Sequence, residues 1–298
     1  MEQYYCDFGS WLRTQFPYKV QKISVNAGFT CPNRDGRIGR GGCIYCNNQT
    51  FNPAYCDNGK SVTQQLEDGK RFFSNKYPDM KYLAYFQAYT NTYGTNEHIK
   101  KLYEEALAVE DVVGLVIGTR PDCINNDLLD YFEELNHRTF LIVEYGVETC
   151  NDANRGHDFA CARKAIEETA QRGIRVGAHI ILGLPGEDAE ESLRQAPIIS
   201  SLPLTTLKIH QLQIIRGTRL AKMYAEKPFH LYTIEEYIKL IADYISLLRS
   251  DLVLERFVSQ SPPELLIAPK WGLKNYEFTH RLHNYMKECL NNKELLYK

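Results

Sequence analysis

No stretch of this 298-residue chain stays apolar for the roughly 18 residues that a membrane-spanning helix requires. The longest apolar runs, such as VVGLVIG at 112–118, have the length of a buried strand. The first residues, MEQYYCDFGSWLRTQF, include acidic side chains and no apolar h-region. No signal peptide is expected, and the chain is expected in the cytoplasm with no membrane partner. A dominant charge is missing too: 35 Lys and Arg stand against 37 Asp and Glu, a net charge of −2. That excludes a polyanion held by global charge alone, but not a local basic patch. There is no low-complexity segment, no repeat of fixed period and no RRM, KH or OB module. An even set of cysteines is also lacking. The chain has nine, and in a reducing compartment a close group of them points to metal binding or catalysis rather than disulfides. Cys6, Cys123, Cys150, Cys161 and Cys289 are scattered and read as small buried apolar side chains.

What is present is an alternation. Apolar or β-branched runs at 18–28, 81–89, 111–119, 139–147, 174–183 and 205–215 are separated by helical patterns. One helix starts at Glu97, another carries Leu128, Leu129, Phe132 and Leu135, a third runs from Ala162 to Arg172, and a fourth follows Gly186. Strands alternating with helices of this length predict βαβ units and a parallel sheet. Six units are too few to close an eight-stranded barrel, so an open partial barrel or a doubly wound sheet is expected. In both, the site lies at the C-terminal ends of the strands. Beyond about residue 225 the pattern changes to a strong amphipathic helix at 233–250, a short strand LVLERF, a Pro-bearing loop and a final helix near 276–290. The expected division is a core over 1–225 and a mostly helical extension over 226–298, packed on the core.

The loop after the first strand, CPNRDGRIGRGGCIYCNN at 31–48, holds Cys31, Cys43 and Cys46. Three thiolates can hold three irons of a [4Fe–4S] cluster and leave the fourth open to a ligand. A four-thiolate zinc site with Cys56 as the fourth ligand would make the chain a metal-stapled binding protein instead. A redox C-x-x-C is a weaker third reading.

The C-(x)11-C-x-x-C loop with its CIYC end resembles the radical S-adenosylmethionine (SAM) superfamily. IGTRPD (117–122), VEYGVET (143–149), NRGHD (154–158), HIILGLPGED (179–188), LKIHQLQIIRGTRL (207–220), YFQAYTNTYG (85–94) and APKW (268–271) follow in order. Together they resemble the YhcC/YtqA-like proteins, in the branch that includes the elongator catalytic subunit. The resemblance implies a partial (β/α)6 barrel with a [4Fe–4S] cluster on Cys31, Cys43 and Cys46. It implies SAM on the open iron, an external flavodoxin- or ferredoxin-like electron donor, and SAM cleavage to methionine and a 5′-deoxyadenosyl radical. For SAM contacts it points to Gln87, Tyr89 and Asn91 in place of the usual Gly-Gly-Glu-type motif, which this chain lacks. It also points to Glu144 and Glu148 on the fourth strand, Arg155 for the methionine carboxylate, and Ile180, Leu182 and Gly183 near the adenine. Glu144 and Glu148 share a strand face by parity and need partners there, either SAM groups or an arginine such as Arg120 or Arg155. Thr119 and Arg120 are expected to point into the barrel. His157 and Asp158 are expected at the substrate, with a helix cap the alternative for Asp158.

The same branch implies a tRNA substrate, such as a wobble-uridine side chain; a small-molecule or protein substrate is the alternative. Basic residues group as Lys19, Lys22, Arg34, Arg37 and Arg40, and again as Lys270, Lys274, His280, Arg281 and His283 among Trp271 and Tyr276. Such mixtures can track phosphates and stack on bases, or they can be a solvated face over core aromatics.

Overall fold

The computed structural model describes residues 4–50, 52–74, 79–152 and 157–292. In chain order the elements are β1 Cys6–Asp7, α1 Phe8–Gln15, β2 Val20–Val25, α2 Val62–Ser74, β3 Lys81–Phe86, α3 Asn96–Leu107, β4 Val112–Thr119, α4 Asn126–Arg138, β5 Phe140–Glu148 and α5 Phe159–Gln171. There follow β6 Arg175–Leu182, α6 Ala189–Ser200, β7 Thr206–Gln211, β8 Ile214–Ile215, α7 Arg219–Glu226, α8 Ile234–Ser246, β9 Val253–Leu254, β10 Leu266–Ala268 and α9 Asn275–Asn292. Asp7, Thr95, Asn125, Asp158, Asp188, Thr218 and Thr233 each accept a hydrogen bond from the backbone N–H three residues on. Helix starts are therefore set locally, by side chains that satisfy otherwise orphaned donors.

The main sheet has the order β1-β9-β7-β6-β5-β4-β3-β2 and is parallel throughout. The six expected strands are β2 to β7, lying side by side in sequence order. The sheet curls into a half-barrel, and side chains on its concave face show this directly. Lys22 of edge strand β2 bonds Glu144 of β5 at 2.8 Å and Glu255, just past β9, at 2.7 Å. A flat sheet with strands roughly 4.8 Å apart would hold β2 and β9 far beyond side-chain reach.

Three layers fill the fold. Between the convex face and the helices lies the main core, which includes Ile23, Phe86, Tyr145, Val176, Ile209, Tyr237 and Phe278. Residues from both sides of position 225 share this core, and β9 joins the main sheet, so the sheet itself carries no break there. On the concave side, the N-terminal end of the half-barrel is plugged. Phe8, Trp11 and Leu12 of α1, with Phe16, pack on Leu83, Val116, Phe140 and Ile142. A third cluster, around Leu184, Leu212, Ile214 and Leu220, sits beside the small β8–β10 ribbon at the opposite end.

Candidate functional site

Above the apolar plug, the concave face turns polar. Glu144 is 2 % exposed, so its charge is out of water and needs partners. Lys22 and Lys208 donate to its two oxygens at 2.8 and 3.0 Å, and His179 Nε2 donates at 2.8 Å. Lys208 also donates to Tyr85 Oη at 2.9 Å, and Glu255 bridges both lysines. Burial alone would raise the Glu144 carboxyl, but Lys208, Lys22 and His179 together hold it well below the usual carboxylate range. Burial, with Lys208 nearby, pushes His179 down; burial pushes His210 down further, helped by Arg256 and His179. Both imidazoles are thus neutral near pH 7. Because His179 gives its Nε2 proton to Glu144, its Nδ1 carries a lone pair. His210 Nδ1 lies 2.5 Å from Ser259 Oγ, and the two rings are 5.4 Å apart.

This polar layer is the floor of a cavity of about 220 Å³. Its upper wall holds Cys31, Cys43 and Cys46. Asn33 Nδ2 donates to Cys43 Sγ at 3.3 Å. Burial pushes the Cys43 thiol up and the Cys46 thiol up to about 12. Neutral thiols buried this way gain from an electrophilic metal that replaces the proton. Cys56 stands elsewhere: it is buried in the main core, beside Asn52. A closed four-thiolate zinc site is therefore not assembled from these side chains. Among the described residues no three His, Cys, Asp or Glu side chains converge tightly enough to ligate one ion. Three soft donors spread round one cavity, the only cysteines among the described residues that line it, fit a multi-iron cluster with an open iron.

Of the residues expected to contact SAM, Gln87, Tyr89, Glu144 and Glu148 line the cavity, as do Thr119, Arg120 and His157. Glu148 closes β5 at a register shift with φ of +65°, and its carboxylate lies over Gly146, within 2.7 Å of where a Cβ would stand there. Glu144 has its partners within the protein, and they are lysines and a histidine rather than an arginine. Arg120 forks onto Asp122 at 2.9 and 2.7 Å. Arg155 lies outside the described residues. Asn91 is fully buried and stitches β3 to β4 through Phe86 O and Gly118 O at 2.9 and 2.7 Å; it does not line the cavity. The side chains of Ile180 and Leu182 belong to the main core, and Gly183 faces Tyr232; the cavity is met instead by His179 and Ile181. Asp158 caps α5.

The basic groups also separate. Lys22 belongs to the buried floor, and Lys19 precedes β2 at the plugged end. Trp271 is packed on Tyr237 and Phe278 and donates to Tyr232 O, so it is not a free stacking surface. Arg34 remains at the cavity mouth. Residues not singled out from sequence include Lys208, His179, His210 and Asn48. Polar residues alternating with apolar ones in LKIHQ and AHIIL were the available signal. Asn48 is 9 % exposed, lines the cavity, and has a buried Nδ2 with no hydrogen-bond partner among the described residues.

Comparison with known proteins agrees with this architecture. The Radical SAM superfamily profile matches residues 31–194, and the Radical_SAM C-terminal domain profile matches 204–288. YtqA of Bacillus subtilis strain 168 is 36% identical over 281 residues, 93% of this chain and 87% of its own. YhcC of Escherichia coli strain K12 is 32% identical over 94% of this chain and 92% of its own. A tRNA uridine(34) acetyltransferase of Methanocaldococcus infernus is 25% identical over 65% of this chain and 38% of its own. Among solved structures, archaeal Methanocaldococcus infernus Elp3 superposes with a TM-score of 0.68 at 18% identity, over 91% of this chain and 63% of that one. No helix of the described residues is long and apolar enough to cross a membrane. Proteins of the matched family bind a [4Fe–4S] cluster and SAM, and a half-barrel with three thiols on its inner wall is the frame that chemistry uses. The chain belongs to the radical SAM superfamily of enzymes, in the family of YhcC and YtqA.

Proposed function

We propose that Cys31, Cys43 and Cys46 hold a [4Fe–4S] cluster here, that the adjoining cavity takes SAM, and that the substrate is a tRNA. The observation that carries the reading is the meeting of these three thiols, and no fourth among the described residues, on the wall of one cavity at the C-terminal end of a parallel half-barrel. Bound together, cluster and SAM supply one-electron SAM cleavage and a hydrogen-abstracting adenosyl radical.

The chain's own residues do the rest. Asn33 hydrogen-bonds a cluster thiolate. Glu148 is a second cavity carboxylate, at the C-terminal end of β5, and is the one assigned to an ammonium group, since Glu144 is held at the floor by three donors. Gln87, Tyr89 and Asn48 offer neutral hydrogen bonds, and Ile181 and Leu212 give an apolar wall. Neutral His179 and His210 at the floor can exchange a proton with the buried end of a substrate without adding charge. A flavodoxin- or ferredoxin-like donor supplies the electron. The tRNA assignment is supported by the distant relatives named for uridine(34) acetylation.

The test is anaerobic reconstitution with iron and sulfide, then SAM cleavage with and without bulk tRNA. Release of 5′-deoxyadenosine that rises with tRNA supports both parts. Release indifferent to tRNA keeps the chemistry and removes the substrate. A colourless protein that cleaves nothing removes both.

A further inference from the structure

Eleven residues separate Cys31 from Cys43, and the cluster role proposed for the loop uses the cysteines and, of the eleven, only Asn33. The intervening residues are not slack. Asp35 and Arg40 form an antiparallel bridge, and Gly36 N donates to Gly39 O at 3.1 Å. Gly36 has φ of +99°, a value that favours glycine in so tight a turn. Ile38 N and Gly39 N both donate to Pro32 O, Gly42 N donates to Asn33 O, and Arg34 N and Asp35 N donate to Cys31 O. The Asp35 carboxylate accepts from Arg37 N at 3.0 Å and so serves the turn. The result is a knuckle tied to the first cysteine and standing at the cavity mouth.

Its side chains share one character. Arg34, Arg37 and Arg40 face a single acid, Asp35, so residues 32–42 carry net +2 on a chain of net −2. None of the three arginines has a carboxylate ion-pair partner among the described residues. Two lie on aromatic rings instead: Arg34 over Tyr89 at 5.4 Å and Arg37 over Tyr93 at 5.7 Å. Arg37 and Arg40 are exposed, and Ile38 between them is 56 % exposed.

We propose that this knuckle is a docking ridge for the phosphodiester backbone of RNA, flanking the nucleotide that enters the cavity. The proposal rests on the tRNA reading above and adds the surface that binds it. A cavity of this size takes one reacting unit, so a polymeric substrate must leave its backbone at the rim. Backbone phosphates recur along the strand, and guanidinium forks match them. The ring-supported arginines and exposed Ile38 give neighbouring bases planar and apolar surfaces. An acidic peptide would meet the same charge but has no use for that mixture.

The test uses the full chain with its cluster loaded, comparing it with an Arg37→Glu/Arg40→Glu double variant. Arg34 is left intact because it lines the cavity. Iron content and RNA-independent SAM cleavage are expected to be unchanged, which shows that the loop still folds. Binding of bulk tRNA, read by fluorescence anisotropy across a salt series, is expected to weaken at least roughly tenfold. The slope of log K against log salt is expected to flatten by about 1.5 for two lost phosphate contacts. Equal affinity and slope in the two proteins would overturn the ridge while leaving tRNA as substrate. A loaded wild-type protein that binds no tRNA at all would remove the ridge and the tRNA reading together, but not the radical chemistry. Poly-glutamate that competes as well as tRNA, and is lost with the same variant, would replace RNA with an acidic protein partner.

Discussion

The two ends of the concave face are built on opposite terms. At the plugged end, strand side chains and α1 satisfy one another: apolar groups meet apolar groups, and above them Lys22, Lys208, Glu144 and Glu255 close a charge network. At the open end, loop side chains are left wanting. Two thiols are desolvated, Asn48 Nδ2 has no partner among the described residues, and Tyr89 and Glu148 hold positive φ angles of 62° and 65°. The lower half is a closed network of side chains, and the upper half lines an open cavity. Two of the three non-glycine residues with positive φ among the described residues stand at this end, where binding can repay the strain.

The contrast is broken most severely at the thiols. Replacing Cys31, Cys43 or Cys46 with Ala is expected to abolish cluster loading, read as iron and sulfide content, with little change in thermal stability of the apoprotein. Cys56→Ala is expected to do the reverse, lowering stability by about 1 kcal/mol while loading persists. Loading that survives Cys31→Ala and fails with Cys56→Ala would reverse the assignment of the two regions.

Next comes the charge network. Lys208→Met removes a cation from Glu144 and is expected to cost about 3 kcal/mol in denaturant unfolding, since the buried carboxylate loses part of its compensation. An unchanged midpoint would show that the floor is not a sealed unit.

The same floor sets a pH dependence. His179 and His210 fold below their ordinary value of 6.5, and Glu144 and Glu255 below 4.5. A group held below its unfolded value gives stability that is whole above that value and is lost on acidification. Stability is therefore expected to fall as pH drops through 6.5, the histidines first and the carboxylates below 4.5. His210→Gln should flatten the upper limb, and a thermal-melt series from pH 8 to 4 reads it.

The smallest effect sharpens the comparison within one strand pair. A Cβ at Gly177 would stand 2.6 Å from Thr206 Oγ1 and 2.9 Å from Glu144 Cγ, inside the packed floor. A Cβ at Gly146 would meet the movable end of Glu148 at 2.7 Å. Gly177→Ala is expected to lower stability by about 1–3 kcal/mol. Gly146→Ala should leave stability within about 0.5 kcal/mol and weaken SAM binding measured by calorimetry. Equal stability losses would mean that the open end is as tightly packed as the floor.

The sequence disclosed this division unevenly. β2 to β7 were legible because their apolar runs are long and punctuated by helix caps. The thiol loop was legible from cysteine spacing. The inward register of β6 was not, because a strand covered on both faces shows no clean alternation. Ile180 and Leu182 look no different from Ile181 in the sequence, and only polar His179 marks the odd positions as inward. The plug was invisible for another reason. β1 has two residues and α1 has eight, too short to announce a pattern, and the short strand expected at LVLERF, where β9 forms, gave no sign that it pairs with β1. Their structure exists only through contacts far along the chain.

That last point governs how the molecule is made. Synthesis lays the strands down in sheet order from β2 to β7, so each can pair with its predecessor as it emerges. β1 is the exception. Its partner is β9, and Cys6 waits for Val253. Until those residues leave the ribosome, the plug helix has no anchored edge and the Lys22–Glu255 bond, 233 residues apart, cannot close. A chain ending before residue 253 therefore loses its first strand along with its last, and protease cleavage within residues 6–16 would report it. The final quarter of the chain is, in this sense, the latch that fastens the first few residues.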